Sequence, residues 1–128
     1  MKRKALILVM IIAAMVFAGC MPESAHSYTQ ISMQEAVDIM ETEENFIILD
    51  VRTEEEFAAG HIPGAICIPN EVIAEEAEKI LTDKDAMLLV YCRSGNRSKQ
   101  ASAKLAELGY TDIREFGGII DWTGDIEK

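Results

Sequence analysis

Cys92-Arg93-Ser94-Gly95-Asn96-Arg97-Ser98 gathers a thiol, two guanidinium groups and a glycine into one short stretch. A cysteine attacks as its thiolate. Cations or the N–H groups of a helix start lower its pKa from near 8.5 to roughly 3.5–7.5. The first N–H groups of a helix have no intrahelical partner, and the dipole there favours negative charge. Residues 94–98, curled into a cup of inward-pointing amides, would hold an anion against the Cys92 sulfur. Gly95 lets the backbone turn and approach a ligand closely. One loop would then activate the nucleophile and bind what it attacks. The plainer alternative is a small apolar residue at a strand end. The polar loop and both arginines outweigh it. Cys92 is the catalytic candidate, and Arg93, Ser94, Gly95, Asn96, Arg97 and Ser98 are the substrate-binding candidates.

Such a loop needs a strand before it and a helix after it. Residues 87–91 are a continuous apolar run, short enough for a strand buried on both faces. Residues 98–108 predict a helix with Ala101, Leu105 and Leu108 on one stripe and Gly109 as its left-handed stop. The rest of the chain repeats the alternation. Strands are expected at 28–31, 46–51, 65–68 and 112–116. Capping boxes at Ser32/Glu35 and Thr53/Glu56 open two helices, the first with Ala36, Val37, Ile39 and Met40 as its apolar side and the second closing at Gly60. Asn70 is expected to cap a helix over 71–81, and Gly117-Gly118 leads to a terminal helical piece bearing Trp122. Strands alternating with helices predict an α/β domain with a largely parallel sheet. Ligands of such sheets bind beyond the carboxyl ends of the strands, where the Cys92 loop lies.

The 128 residues suit one domain. The formal charge is −10, and −13 without Lys2, Arg3 and Lys4 (9 basic against 22 acidic residues). This argues against nucleic acid as a partner, since phosphate binding needs a basic surface. A small anion could still enter a locally positive pocket. Residues 1–19 read as an export signal: a basic Met1-Lys2-Arg3-Lys4, then an apolar stretch over 5–18, too short for a comfortable membrane span. Its end, Phe17-Ala18-Gly19-Cys20, resembles the lipobox of bacterial lipoproteins. That resemblance implies cleavage before Cys20, lipid on its sulfur and amine, and an extracytoplasmic protein anchored in the cell membrane, periplasmic or on the cell-surface side. Three chains would hold it permanently, each buried CH₂ adding about 0.8 kcal/mol. An uncleaved anchor or a plain secretory signal is the alternative, and both also export the chain. Residues 20–27 are then a tether, in which His26 is a solvated linker residue, and residues 28–128 are the domain.

The motifs as a set resemble the single-domain rhodanese family. They are Asp50-Val51-Arg52, Glu56-Phe57, Gly60-His61-Ile62-Pro63-Gly64-Ala65, the Cys92–Ser98 loop, and Gly117-Gly118 with Trp122. The resemblance implies a mostly parallel five-stranded sheet flanked by helices on both faces. It implies a sulfurtransferase: Cys92 takes a sulfane sulfur from thiosulfate or a persulfide donor, becomes a persulfide, and passes the sulfur to cyanide or a thiol. No metal and no cofactor are called for. A persulfide is anionic at its outer sulfur and needs no dedicated base, which fits a loop without histidine or carboxylate. Arg97 would help hold the anionic donor and Arg93 would steer it, with a surface charge or salt bridge as the alternative for each; arginine forks suit oxyanions. Four residues separate Cys92 from Arg97, as in sulfurtransferases. Phosphatases on this fold place one more there, so a phosphatase or arsenate reductase is the lesser enzymatic alternative.

The other motif residues read as scaffold. Asp50, Arg52 and Glu56 are expected in an internal ion pair, His61 in turn stabilisation and Trp122 in core packing. Cys67, between two isoleucines, is a buried thiol by default; a protective Cys67–Cys92 disulfide would need Cα atoms within about 7 Å. Two rivals come from other classes. One is a rhodanese-fold module that binds a partner or carries sulfur without turnover. The other is a thiol oxidoreductase, which wants a Cys-x-x-Cys pair that the sequence lacks.

Overall fold

A computed structural model describes residues 27–128; the leader, Cys20 and His26 lie outside the described residues. The elements in chain order are β1 (Thr29–Gln30), α1 (Met33–Thr42), β2 (Ile47–Asp50), α2 (Glu54–Ala59), β3 (Ile66–Cys67), α3 (Ile73–Ile80), β4 (Met87–Cys92), α4 (Asn96–Glu107) and β5 (Asp112–Gly118), followed by a 3₁₀ turn (Ile119–Asp121). The five strands form one sheet in the order β1-β5-β4-β2-β3. Every pairing is parallel. This is the expected α/β architecture.

β4 sits at the centre because both its faces are apolar. Leu88, Val90 and Cys92 point to one side and pack with Ile73 and Ala77 of α3 and Ala101 and Leu105 of α4. Leu89 and Tyr91 point to the other, with Ala36 of α1 and Phe57 of α2. That double burial is why the strand reads as an unbroken hydrophobic run rather than an alternation. Helices therefore cover both faces.

Local signals set most boundaries. Thr53 and Glu56 form the reciprocal box that starts α2. At Ser32 the hydroxyl accepts from the Glu35 amide at 3.0 Å, while the Glu35 carboxylate meets that hydroxyl at 3.3 Å. Asn70 does not cap α3 as expected. Its side chain donates to Gln100 Oε1 at 2.9 Å and accepts from Lys104 Nζ at 3.1 Å, tying the turn to α4. A turn closed by the Val72 amide on the Pro69 carbonyl delays the helix to Ile73. α4 begins at Asn96, two residues before the predicted start, and Trp122 falls just after the 3₁₀ turn rather than within a helix.

A buried polar knot joins the first half of the sheet to the turn after α2. Asp50 and Arg52 pair at 2.7 Å with side chains 0 and 7 % exposed. Tyr91 donates to the same Asp50 carboxylate at 2.6 Å and accepts the Ile62 amide at 3.1 Å. Arg52 also donates to the Gly60 carbonyl at 2.7 Å. Every buried charge in the knot thus has a partner, the condition under which burial is tolerated.

Candidate active site

β4 delivers Cys92 to the carboxyl edge of the sheet, where α4 begins. The register against β5 slips here: Val90 faces Glu115, yet Cys92 faces Gly118. This bulge, past the point where Glu115 and Phe116 alternate faces in the ordinary way, brings Gly118 under the loop. A Cβ on Gly118 would run into the Arg93 carbonyl and come within 2.5 Å of the Ser94 amide, so only glycine allows so close an approach. Gly95 turns the chain at φ +110°, in left-handed territory, and α4 starts at the next residue.

The result is a sulfur surrounded by donors. Cys92 Sγ accepts from the Gly95 amide at 3.0 Å and lies 3.4 Å from Ser98 Oγ. Burial alone pushes the thiol pKa up. Hydrogen bonds from the Ser98 hydroxyl and from the amides of Ser98, Gly95 and Ser94 together outweigh it, and the net direction is down. Cys92 is only 1 % exposed. A reactant must therefore present a slim, terminal atom to reach it.

The structure sorts the other candidates. The Gly95 amide reaches the sulfur at 3.0 Å, and the Ser98 and Ser94 amides add to the downward pull on the thiol pKa. Arg93 and Asn96 turn their side chains outward and are exposed, though the Arg93 carbonyl accepts the Ile120 amide at 3.2 Å and so fixes the loop's back. Arg97 stands at the rim, held by Glu56 in a bidentate pair at 2.7 and 3.1 Å. Glu56 was expected in the Asp50–Arg52 pair; it joins α2 to α4 instead.

The scaffold readings find clear partners. His61 stacks on Phe57 with centroids 3.7 Å apart, and its Nδ1 lies 2.9 Å from the Phe57 carbonyl oxygen, so it fastens its turn. Trp122 packs against the cluster on the α1 side. Cys67 and Cys92 are free thiols, the default expectation, although Cys67 is half-buried rather than buried. Cys67 of β3 and Tyr91 of β4 both face Asp50 of β2 between them, so the two cysteines' strands stand two spacings apart. That is about 9–10 Å, beyond disulfide reach. Burial, with Asp50 adding, pushes the Cys67 thiol up to about 11.

One residue went unnoticed in the sequence. Glu115 is 3 % exposed, and its Oε1 accepts from Ser98 Oγ at 2.8 Å and from the Gly117 amide at 2.9 Å. The alternation of β5 carried the signal, since Glu115 shares a face with Ile113.

Fold and loop together define an α/β domain that presents a cysteine inside an amide cup. The chain belongs to the rhodanese-like domain family, which matches residues 32–125. It is similar to the thiosulfate sulfurtransferase PspE of Escherichia coli, 38 % identical over 73 residues covering 57 % of this chain and 70 % of that one. It is also similar to the putative sulfurtransferase YtwF of Bacillus subtilis, 35 % identical over 96 residues, 75 % of this chain and 91 % of that one. Among solved structures, a rhodanese with anions from Escherichia coli superposes with a TM-score of 0.60 at 35 % identity, covering 64 % of this chain and 96 % of that one.

Proposed function

We propose that the protein is a sulfurtransferase that carries sulfane sulfur on Cys92, taking it from thiosulfate or a persulfide and giving it to cyanide or a thiol. The observation that carries this reading is the set of amides around Sγ, with the Gly95 N–H at 3.0 Å. Donors so placed stabilise negative charge without reorganising during the reaction. In the loading step the Cys92 thiolate attacks the terminal sulfur of thiosulfate. The donor's S–S bond breaks, its electron pair leaves on sulfite, and the charge passes to the new outer sulfur. In the unloading step cyanide attacks that outer sulfur, forming thiocyanate and restoring the thiolate. The near-complete burial of Cys92 suits this chemistry, because a sulfane sulfur is a terminal atom. Arg97 at the rim keeps N–H groups beyond the two that bind Glu56, and these would meet the donor's oxygens.

The test is sulfur transfer from thiosulfate to cyanide by the purified protein and by Cys92→Ser. Wild type is expected to turn over and the variant to be inert. If both are inert with thiosulfate, polysulfide and glutathione persulfide, the protein is a binding module of this fold.

The same proposal places the domain outside the cytoplasm, lipid-anchored through Cys20. The basic start, the apolar stretch and Phe17-Ala18-Gly19-Cys20 support it. The intact mass of the membrane-extracted protein is expected to show a chain beginning at Cys20 with added acyl mass, which Cys20→Ser lacks. A membrane-extracted wild-type chain without acyl mass overturns the lipid anchor.

A further inference from the structure

Glu115 is the buried charge that sulfur transfer leaves without a task. Among the described residues no cation comes within ion-pair distance of it. It rests instead on two hydrogen bonds, one of them from Ser98 Oγ at 2.8 Å. That hydroxyl accepts from the Cys92 thiol at 3.4 Å and stands among three acceptors: Glu115 Oε1, the Gly95 carbonyl at 3.0 Å and the Gly117 carbonyl at 3.4 Å. A hydroxyl has one proton to give. The Glu115 oxygen is the nearest of the three, and a carboxylate oxygen is a stronger acceptor than a neutral carbonyl. While Sγ is uncharged, the proton goes to Glu115. When Sγ becomes a thiolate, two buried anions compete for it.

We propose that Glu115 is a positioning residue for Cys92: by claiming the single Ser98 proton it disfavours a charged Sγ and favours the states in which Sγ is neutral. Those states are the resting thiol and, resting on the sulfur-transfer reading, the persulfide. Loading moves the negative charge from Sγ to the outer sulfur, as the new S–S bond forms and sulfite departs. Ser98 then returns its proton to Glu115, and the outer sulfur is left to the amides. The pair thus biases the enzyme toward its loaded form. The other charged groups around the loop are Arg97 of α4, which feels charge on Cys92, its partner Glu56 of α2, and the exposed Arg93. Substitution at Glu115 leaves all three in place.

The test is the ultraviolet titration of the Cys92 thiolate in the full-length protein, taken as the difference from Cys92→Ser. Glu115→Gln is expected to lower the midpoint by about one pH unit or more, as removal of a neighbouring like charge does. Glu115→Asp, which withdraws the carboxylate by one methylene, should shift it the same way and serves if the glutamine variant does not fold. In a Ser98→Ala background the Glu115→Gln shift should fall by more than half, because the competition runs through the hydroxyl. A midpoint that stays or rises, or a shift undiminished without Ser98, overturns the proposal. Persulfide occupancy at a fixed thiosulfate-to-sulfite ratio should also drop in Glu115→Gln. If no variant ever forms persulfide, the transfer reading fails while the titration still judges Glu115.

Discussion

Arg97 and Glu56 lock the start of α4 to α2 through two parallel bonds, Nη1 to Oε1 at 2.7 Å and Nη2 to Oε2 at 3.1 Å. The same carboxylate closes the capping box of α2, accepting the Thr53 amide at 3.4 Å. One side chain therefore starts a helix on one face of the sheet and fixes the rim of the cysteine loop. Fork-to-fork geometry adds orientation to charge, so the guanidinium is held at the loop mouth rather than left to sweep through solvent.

That pair has a pH signature. Hydrogen bonding to Arg97 is the largest influence on the Glu56 carboxyl and holds it at about 2, below its ordinary 4.5. A carboxyl whose folded pKa is depressed adds stability above its unfolded value and loses it as pH falls through the folded one. The contribution is whole above pH 4.5 and gone below 2. The two side chains are 27 and 30 % exposed, so solvent screening leaves about 1 kcal/mol. Glu56→Gln should lose about that much in urea unfolding near neutral pH. The gap from wild type should close in strong acid. A gap of equal size at both pH values would contradict the pairing.

The Asp50 knot should rank its members by what each leaves orphaned. Arg52→Met strands a fully buried carboxylate, which typically costs about 3–5 kcal/mol. Tyr91→Phe strands the Ile62 amide and removes one donor from Asp50, costing about 1–3 kcal/mol. Chemical denaturation should find the arginine variant the less stable of the two. The reverse order would mean that the phenol, not the ion pair, carries the knot.

Gly118 is needed for the space beneath the loop. Gly118→Ala must push its methyl into the Arg93 carbonyl and Ser94 amide, an overpacking worth about 1–3 kcal/mol. It should lower the melting temperature and cut sulfur transfer in the protein that remains folded. Gly64→Ala is the control: its φ of +82° imposes left-handed strain of about 1–2 kcal/mol, but its Cβ meets nothing. It should melt earlier with transfer intact. Equal loss of transfer in both would show that the Gly118 contact does not shape the loop.

Much of this was legible because local rules and tertiary structure agree. The apolar run before Cys92, the box at Thr53, the Ser32 cap (which takes only half of its expected box) and the Gly109 stop each spoke through period or capping chemistry, and each element formed. The failures came where a side chain had a distant alternative. Asn70 looks like a helix cap in isolation, but Gln100 and Lys104, brought close only by α4, take its amide. Glu56 has several possible cations in sequence, and only the packing of α2 against α4 selects Arg97. Glu115 is a single acid in a final strand, and although the alternation places it on the face of Ile113, only the fold brings Ser98 and the Gly117 amide to it. The pairing of Cys67 with Cys92 could be weighed only once β2 was known to lie between them.

The most direct test of the account is the intact mass of the protein after exposure to thiosulfate and removal of excess donor, with the modified residue located by peptide mapping. A gain of about 32 Da, one sulfur, is predicted on Cys92, reversible by cyanide and absent in Cys92→Ser. An unchanged mass, or sulfur found on Cys67 instead, would contradict the claim that the amide cup makes Cys92 the sulfur carrier.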